Sequence, residues 1–145
     1  MKIDYSILSL GFRQQNEITD RLVSDVNLLA AEYHDSPKKL TLRDLQNMVE
    51  QNQVLLVKDG SATLGITLMT FEYSLLFTTA RVHVYWIDKD HRNSNLIRSV
   101  NEKLIQEARM KLAHQIEFAC LPAKNYNWLD FTEKGPQIYR RIFEN

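Results

Sequence analysis

A histidine and an arginine nine residues apart, His83 and Arg92, are the side chains of this sequence best suited to chemistry. An unperturbed imidazole titrates at about pH 6.5, so His83 can accept a proton from an ammonium group at neutral pH. Arg92 begins a polar run, residues 92–95, that leads into a helical pattern. The free N–H groups and positive dipole end of a helix start suit a phosphate. These residues therefore indicate a proton acceptor close to an anion-binding turn.

Each of these features also has a purely structural interpretation, which the sequence leaves open. His83 is then a half-exposed strand residue with one hydrogen bond, and Asn93, Ser94 and Asn95 only cap a helix. A metal site is not expected, because the four histidines of the chain are scattered without ligand spacing. Cys120 lies in an apolar run, where a buried and inert thiol is the expected form.

A strand must position His83, and a helix must follow Arg92. Residues 79–88 alternate β-branched and aromatic side chains with period two, which predicts a strand with two different faces. Apolar residues then return from Ile97 to Leu112 with helical spacing, which predicts a helix after the polar turn. The two faces of the strand are expected to carry Val82, Val84 and Trp86 on one side, and Arg81, His83, Tyr85 and Ile87 on the other.

Before this unit, the sequence predicts one strand, two helices and a hairpin. Asn16 is the expected cap of the first helix. Thr41 is the expected cap of the second, with Asp44 as the acidic third residue of a capping box. The elements are, in order, a strand (2–10), two helices (18–33 and 41–52) and two hairpin strands (53–58 and 62–73) joined by Asp59-Gly60.

After this unit, the sequence predicts a strand over residues 116–121, a short helix over 125–134 and a final strand over 137–143. A helix between two strands usually makes a parallel crossover, so residues 116–121 should lie parallel to residues 79–88. The complete order is β-α-α-β-β-β-α-β-α-β. It predicts an α/β fold with a mixed, mostly antiparallel sheet and helices on both faces.

The composition limits the class of protein. A chain of 145 residues fits one domain, residues 1–145. Lys+Arg and Asp+Glu balance at 18 each, so bulk nucleic-acid binding is not expected. No apolar run approaches the length of a membrane span, and a single cysteine permits no disulfide within the chain. We therefore expect a soluble cytoplasmic protein without a membrane partner, and a homodimer is left open.

The element order, with Arg92 at the strand-to-helix turn, resembles the GNAT superfamily of acetyl-CoA-dependent N-acetyltransferases over roughly the whole chain. The family signature (Gln/Arg)-x-x-Gly-x-(Gly/Ala) is matched in frame by residues 92–97, with Asn95 and Ile97 in place of the small residues. Residues 87–92 are similar to the family's Val-x-Pro-x-x-Arg, with Lys89 in place of proline. Residues 131–136 are similar to its Tyr-x-x-x-Gly-Phe, beginning with Phe131 instead of tyrosine.

This resemblance implies acetyl-CoA as co-substrate and a primary amine, on a small molecule or a protein, as acceptor. It implies a pyrophosphate-binding turn in which Asn95 takes up a left-handed conformation and the branched Ile97 keeps the helix from approaching the phosphates closely. A backbone N–H near Trp86 or Ile87 would hold the oxyanion. The residues implied to bind the cofactor are Trp86, Ile87, Arg92, Asn93, Ser94, Asn95, Leu96, Ile97 and Arg98.

The resemblance also implies catalytic roles. His83 is the implied general base, since some family members carry a histidine at this offset and Arg81 stands where a glutamate base is commonest. Tyr126 or Tyr139 is the implied acid, in place of the tyrosine missing at Phe131. The expected activity is transfer of an acetyl group to an amine by direct attack. The alternative is a catalytically silent, acetyltransferase-like module that binds other proteins, because marker positions in all three family motifs are replaced.

Overall fold

The protein is built on one sheet with helices on both faces. A computed structural model describes residues 5–34, 38–119, 133–134 and 139–143. The strands are β1 (Ser6–Leu10), β2 (Gln53–Asp59), β3 (Ala62–Tyr73), β4 (Thr78–Ile87), β5 (Gln115–Phe118), β6 (Glu133–Lys134) and β7 (Tyr139–Ile142), in the order β1-β2-β3-β4-β5-β7-β6. The helices are α1 (Asp20–Tyr33), α2 (Leu42–Gln51) and α3 (Ser94–Met110), with 3₁₀ helices at Phe12–Glu17 and Lys89–His91.

Strand pairing follows the predicted topology. Strands β1 to β4 pair antiparallel in sequence order, and β5 pairs parallel to β4 after the crossover through α3. This confirms both the predicted meander of β2, β3 and β4 and the predicted parallel strand. The hairpin between β2 and β3 turns at Gly60, whose φ of 61° is a left-handed conformation that glycine adopts without strain. The fold is therefore the predicted α/β fold with a mixed, mostly antiparallel sheet.

Two apolar clusters cover the two faces of the sheet. Helix α3 packs on one face, where its buried residues meet those of β4 and β5. Helices α1 and α2 pack on the other face, mainly against β2 and β3. Each fully buried aliphatic side chain stabilises the folded state by about 1.5 to 3 kcal/mol relative to leaving it exposed. The α3 cluster includes Tyr85, Ile87, Leu96, Ile97, Val100, Leu104, Ile116 and Phe118, and the other includes Leu22, Val26, Leu45, Val49, Val54, Leu56 and Ile66.

Local capping chemistry fixes where the first two helices begin. Thr41 and Asp44 form the predicted capping box, in which the Asp44 N–H donates to Thr41 Oγ1 (3.2 Å) and the Thr41 N–H to Asp44 Oδ2 (2.9 Å). Helix α1 begins later than predicted. Thr19 caps it by accepting from the Leu22 N–H (3.2 Å), and Asn16 lies inside the preceding 3₁₀ helix, so Asn16 is not the cap.

The end of the chain differs from the predicted helix over residues 125–134. Glu133–Lys134 forms β6 and pairs with β7, so the helix prediction is wrong at these two residues. Residues 125–132 lie outside the described residues, and Tyr126 is among them. The final strand is observed as Tyr139–Ile142, antiparallel to β5. Among the described residues, no helix has the length and apolar character needed to span a membrane.

Candidate active site at β4, β5 and the start of α3

A β-bulge interrupts β4 at His83. Leu68 of β3 pairs with Val84 and the next residue, Met69, pairs with Val82, so His83 is the extra residue of β4 in the register with β3. The extra residue changes the face on which the earlier side chains lie. Val82 packs in the α3 cluster with Tyr85 and Ile87, whereas Val84 and Trp86 pack on the opposite face. The strict alternation predicted for this strand, with Val82 beside Val84 and Trp86, is therefore wrong.

Strands β4 and β5 are paired only before this bulge. The parallel ladder joins Thr79 through Val82 to Gln115 through Phe118, and the Ala119 N–H then donates to the Val82 carbonyl (3.0 Å). Strand β4 continues beyond the ladder to Ile87. Its outer edge in this second half is thus not paired with the described residues of β5, which leaves backbone groups there for other partners.

His83 is exposed at the point where the ladder ends. Its Nε2 lies 2.7 Å from Thr70 Oγ1, across the β3–β4 pair. This contact orients the imidazole without burying it. A proton acceptor for a bound amine needs such a surface position, because the amine must reach a ring nitrogen directly or through one water molecule.

The two tyrosines expected as acids are only partly placed. The backbone of Tyr139 lies in β7 opposite Phe118, which itself pairs with Val82 of β4. Two strand spacings separate β7 from β4, so Tyr139 Cα is about 10 Å from the end of the β4–β5 ladder. Tyr126 lies outside the described residues.

The start of α3 exposes a polar surface beside the second half of β4. Asn93 caps the helix, and its Oδ1 accepts from the Leu96 N–H (2.8 Å). Ser94 and Asn95 are the first two helical residues, whose N–H groups have no intrahelical acceptor. Together with the exposed Arg98, one turn further on, they form a surface that suits a phosphate.

The structure differs from the expected conformation of this turn. Asn95 is helical, and Leu112 is the only non-glycine among the described residues with a positive φ, so the expectation of a left-handed Asn95 is wrong. The Ile97 side chain is fully buried in the α3 cluster. Because it points into the core, it does not stand between the helix start and a ligand in solvent. Leu96 is buried in the same cluster, and neither side chain can contact a phosphate.

Arg92 is folded back onto the end of β4. Its Nε donates to the Ile87 carbonyl (2.9 Å), its Nη2 lies 3.3 Å from Glu32 Oε2, and its Cζ lies 4.6 Å from the centre of the Tyr33 ring. The guanidinium therefore connects the turn to the last residues of α1. Sequence reasoning identified Arg92 but missed Glu32 and Tyr33, which lie about sixty residues earlier in the chain and carry no local motif.

The Tyr33 hydroxyl engages both backbone groups of Ile87. It accepts from the Ile87 N–H (3.0 Å) and donates to the Ile87 carbonyl (3.1 Å). Burial raises the pKa of Tyr33, so the hydroxyl remains protonated at neutral pH. Trp86 stacks on the Tyr33 ring with centroids 6.2 Å apart, on the α1 face of the sheet. The Ile87 N–H, one of the two expected oxyanion donors, is thus hydrogen-bonded within the chain.

Two carboxyl groups lie beside each other under the β4–α3 turn. Burial and the neighbouring Asp88 raise the pKa of Glu32, whose Oε2 also accepts from the Lys89 N–H (3.1 Å). Burial acts in the same direction on Asp88, but hydrogen bonds with His91 and Glu32 outweigh it and lower the pKa of Asp88. His91 Nδ1 lies 2.6 Å from Asp88 Oδ2. At neutral pH this arrangement fixes the turn through charged hydrogen bonds.

The first half of β4 carries an ion-pair network instead. The Nε and Nη2 atoms of Arg81 donate to Glu117 Oε2 at 3.1 and 2.9 Å, and Nη1 donates to Glu72 Oε2 at 2.7 Å. Glu117 is 5% exposed. Arg81 occupies the position at which the family resemblance led us to expect a glutamate base, and here its charge is balanced by two carboxylates.

Comparison with solved structures identifies the fold. An acetyltransferase from Trypanosoma brucei superposes with a TM-score of 0.66 at 13% identity, covering 92% of this chain and 96% of that one. The PaiA N-acetyltransferase of Thermoplasma acidophilum, solved with coenzyme A, gives a TM-score of 0.61 at 8% identity, with 97% and 99% covered. The chain has the GNAT acetyltransferase fold.

A third GNAT structure, a ribosomal-protein-alanine N-acetyltransferase from Brucella melitensis, matches with a TM-score of 0.58 at 14% identity, covering 86% of this chain and 83% of that one. No protein-family model matches the sequence, and a search of the curated proteins found no match. Within the described part of the chain, no group of three or more histidine, cysteine, aspartate or glutamate side chains is arranged to hold a metal ion.

Proposed function

We propose that this protein is an N-acetyltransferase that moves an acetyl group from acetyl-CoA to a primary amine. In this reaction the carbon–sulfur bond of the thioester breaks, a carbon–nitrogen bond forms, and the amine proton passes to a base while the thiolate is protonated. The observation that carries the proposal is the end of the β4–β5 ladder at Val82 and Phe118, beside the bulged His83 and the exposed start of α3. GNAT-fold neighbours solved with CoA support the choice of co-substrate.

The start of α3 fits the phosphates of CoA. The N–H groups of Ser94 and Asn95 lie at the positive end of a 17-residue helix, and exposed Arg98 adds a cation. Asn93 orients this turn through its cap. Arg92, expected among the cofactor-binding residues, shapes the turn through its contacts with Ile87 and Glu32.

His83 is the proposed general base. It is exposed, it is held by Thr70, and it lies where β4 and β5 stop pairing. An amine that approaches this point meets an imidazole able to remove its proton. Tyr139 and Tyr126 remain the proposed acids, and the primary amine remains the proposed acceptor. A structural neighbour of this chain, the NatC complex, was solved bound to Gag peptide and CoA, which supports including peptides among the proposed acceptors.

The rival proposal, a silent module that binds proteins, is favoured by one observation. Tyr33 and Arg92 occupy the Ile87 backbone groups that face away from β3. A site that is permanently closed in this way would not bind acetyl-CoA.

Calorimetric titration with acetyl-CoA separates the two proposals. The test uses the wild-type protein and two matched variants, Ser94→Asp at the first helical position and Ser99→Asp on the exposed side of the next turn. An aspartate in the first turn stabilises a helix through its dipole, so Ser94→Asp should keep the fold while repelling phosphate. Binding should weaken about tenfold or more in Ser94→Asp and within about twofold in Ser99→Asp. No binding by the wild type at millimolar ligand would contradict the acetyltransferase proposal.

A further inference from the structure

Ile87 is a residue of β4 whose backbone groups face the edge that is not paired with the described residues of β5. Its neighbour Asp88 donates its N–H to the Leu64 carbonyl of β3 (2.7 Å). Successive residues of a strand direct their N–H and C=O groups to opposite sides, so the N–H and C=O of Ile87 both face away from β3. A ligand lying along this edge would use these two groups as a neighbouring strand does.

In this structure a side chain occupies both groups. The Tyr33 hydroxyl accepts from the Ile87 N–H and donates to its carbonyl, and Arg92 Nε donates to the same carbonyl. The Tyr33 ring is held in turn by the Arg92 guanidinium and by stacking on Trp86. The single hydroxyl thus satisfies the donor and the acceptor that a strand-like ligand needs.

This arrangement can be reversed without breaking the hydrogen-bond ladder of the sheet. Tyr33 is the last residue of α1, and the bonds that it makes to Ile87 belong to a side chain and not to the sheet ladder. Rotation of the ring would release Ile87 while the pairing of Ile87 with Gly65 on the β3 side stays intact. The thiol-bearing arm of CoA contains two amide groups, each with one N–H and one C=O, which can replace the hydroxyl at Ile87.

We propose that Tyr33 closes the β4 edge at Ile87 in the free protein and must leave Ile87 for the amide-bearing arm of acetyl-CoA to bind. The proposal rests on the proposed function and adds an autoinhibitory contact to it. Because only the open form binds, the apparent affinity is reduced by the fraction of molecules in that form. Removing the hydroxyl removes the competition and should tighten binding.

The test compares Tyr33→Phe with Tyr85→Phe by calorimetry with CoA and by thermal melting. Tyr85 is a matched control, because its hydroxyl also bonds within the chain but to groups of α3, Asn101 Oδ1 (2.5 Å) and the Ile97 carbonyl (3.3 Å). Each variant should melt lower without ligand, since each loses a hydrogen-bonded hydroxyl. Tyr33→Phe should bind CoA about tenfold more tightly than the wild type, whereas Tyr85→Phe should bind with wild-type affinity.

Tryptophan fluorescence provides a second reading that depends neither on a variant of Tyr33 nor on activity. The chain has two tryptophans, so Trp128→Phe leaves Trp86 as the only one. Saturation of this protein with CoA should change the Trp86 emission, because the Tyr33 ring moves off the indole.

Two results would overturn the Tyr33 proposal and leave the acetyltransferase proposal standing. One is equal CoA affinity of the wild type and Tyr33→Phe, and the other is an unchanged Trp86 emission at saturating CoA. Tighter CoA binding by Tyr33→Phe than by the wild type, with the affinity of Tyr85→Phe unchanged, would support the Tyr33 proposal. No binding by any of the proteins at millimolar CoA would contradict both proposals.

Discussion

The two halves of β4 are held in different ways. Before the bulge, Thr79 to Val82 lies between β3 and β5, and its backbone is paired on both sides. After the bulge, β3 still pairs with one edge, but the other edge at Ile87 is covered by the Tyr33 hydroxyl and the Arg92 guanidinium. Ladder bonds form and break together with their neighbours, whereas one hydroxyl can exchange for a ligand on its own. The first half of β4 is therefore fixed by the sheet, whereas in the second half a ligand can compete with the Tyr33 hydroxyl for the backbone groups of Ile87.

The largest effect of a substitution is expected in the buried α3 cluster, which packs against the second half of β4. Ile97→Ala removes part of a fully buried side chain in the α3 cluster and should lower the free energy of unfolding by about 3 kcal/mol. CoA affinity should not rise, because Ile97 does not face the ligand side. Urea unfolding and calorimetry measure the two quantities, with exposed Ser99→Ala as the control. Tighter binding with unchanged stability would show that Ile97 obstructs the phosphate site.

His83→Ala tests the proposed general base, which lies at the bulge between the two halves of β4. Loss of a general base should lower kcat by about 10²-fold at neutral pH, roughly 2.7 kcal/mol, while the Kd for CoA stays nearly unchanged. Thr70→Val, which removes only the hydroxyl that orients the ring, should lower kcat a few-fold. Initial rates at saturating acetyl-CoA measure both. Unaltered turnover of His83→Ala would remove this residue from the mechanism.

The sequence predicted the strands and their pairing better than the bulge in β4 and the contacts that the helices make with the sheet. The run from Ala62 to Tyr73 and the Asp59-Gly60 turn were read correctly, because their signals are local. The bulge at His83 could not be predicted, since the residue types of β4 keep alternating through it. Nor could the contact of Tyr33 with Ile87, because tertiary packing of α1 on the sheet brings together residues 54 positions apart.

The residues of the candidate site also separate into those that local sequence predicts and those that depend on tertiary packing. The Asn93 cap and the exposed Ser94 and Asn95 follow from local sequence, which predicts a polar turn leading into a helix. The inward side chain of Ile97 and the folded-back Arg92 depend on the packing of α3 and α1 against the sheet. A motif comparison alone assigned both residues to the ligand side.

Glu117→Gln tests the first half of β4 and should affect stability alone. The buried Glu117 carboxylate accepts two bonds from Arg81, and its loss should cost about 2 kcal/mol of unfolding free energy, moderated by the partial exposure of Arg81. Glu72→Gln is the control, since that carboxylate is 62% exposed and should cost about 0.5 kcal/mol or less. A change in CoA affinity in Glu117→Gln would show that the two halves are coupled.

The smallest effect concerns the turn that follows the second half, and it depends on pH. The pKa of Asp88 is lowered in the folded protein, so its contribution is present above the usual aspartate pKa, about 3.9, and is lost as pH falls through the folded value. Asp88→Asn should therefore cost about 1 kcal/mol at neutral pH, and this deficit should shrink on acidification.

Glu32→Gln should show the opposite trend. The pKa of Glu32 is raised, so its contribution is fully present below the usual glutamate pKa, about 4.3, and is lost as pH rises through the folded value. The stability of the Glu32→Gln variant relative to the wild type should therefore fall as the pH is lowered. Urea unfolding between about pH 7 and about pH 2 measures both variants, because the scan must pass below the usual aspartate pKa. The same trend in both would contradict the assignment of opposite pKa shifts.

A crystal structure with bound CoA tests the central claim most directly. The account predicts phosphate oxygens within hydrogen-bonding distance of the Ser94 and Asn95 N–H groups, the thiol-bearing arm along β4 between Ile87 and His83, and the Tyr33 hydroxyl displaced from Ile87. CoA bound elsewhere on the molecule, or bound there with Tyr33 still on Ile87, would contradict it.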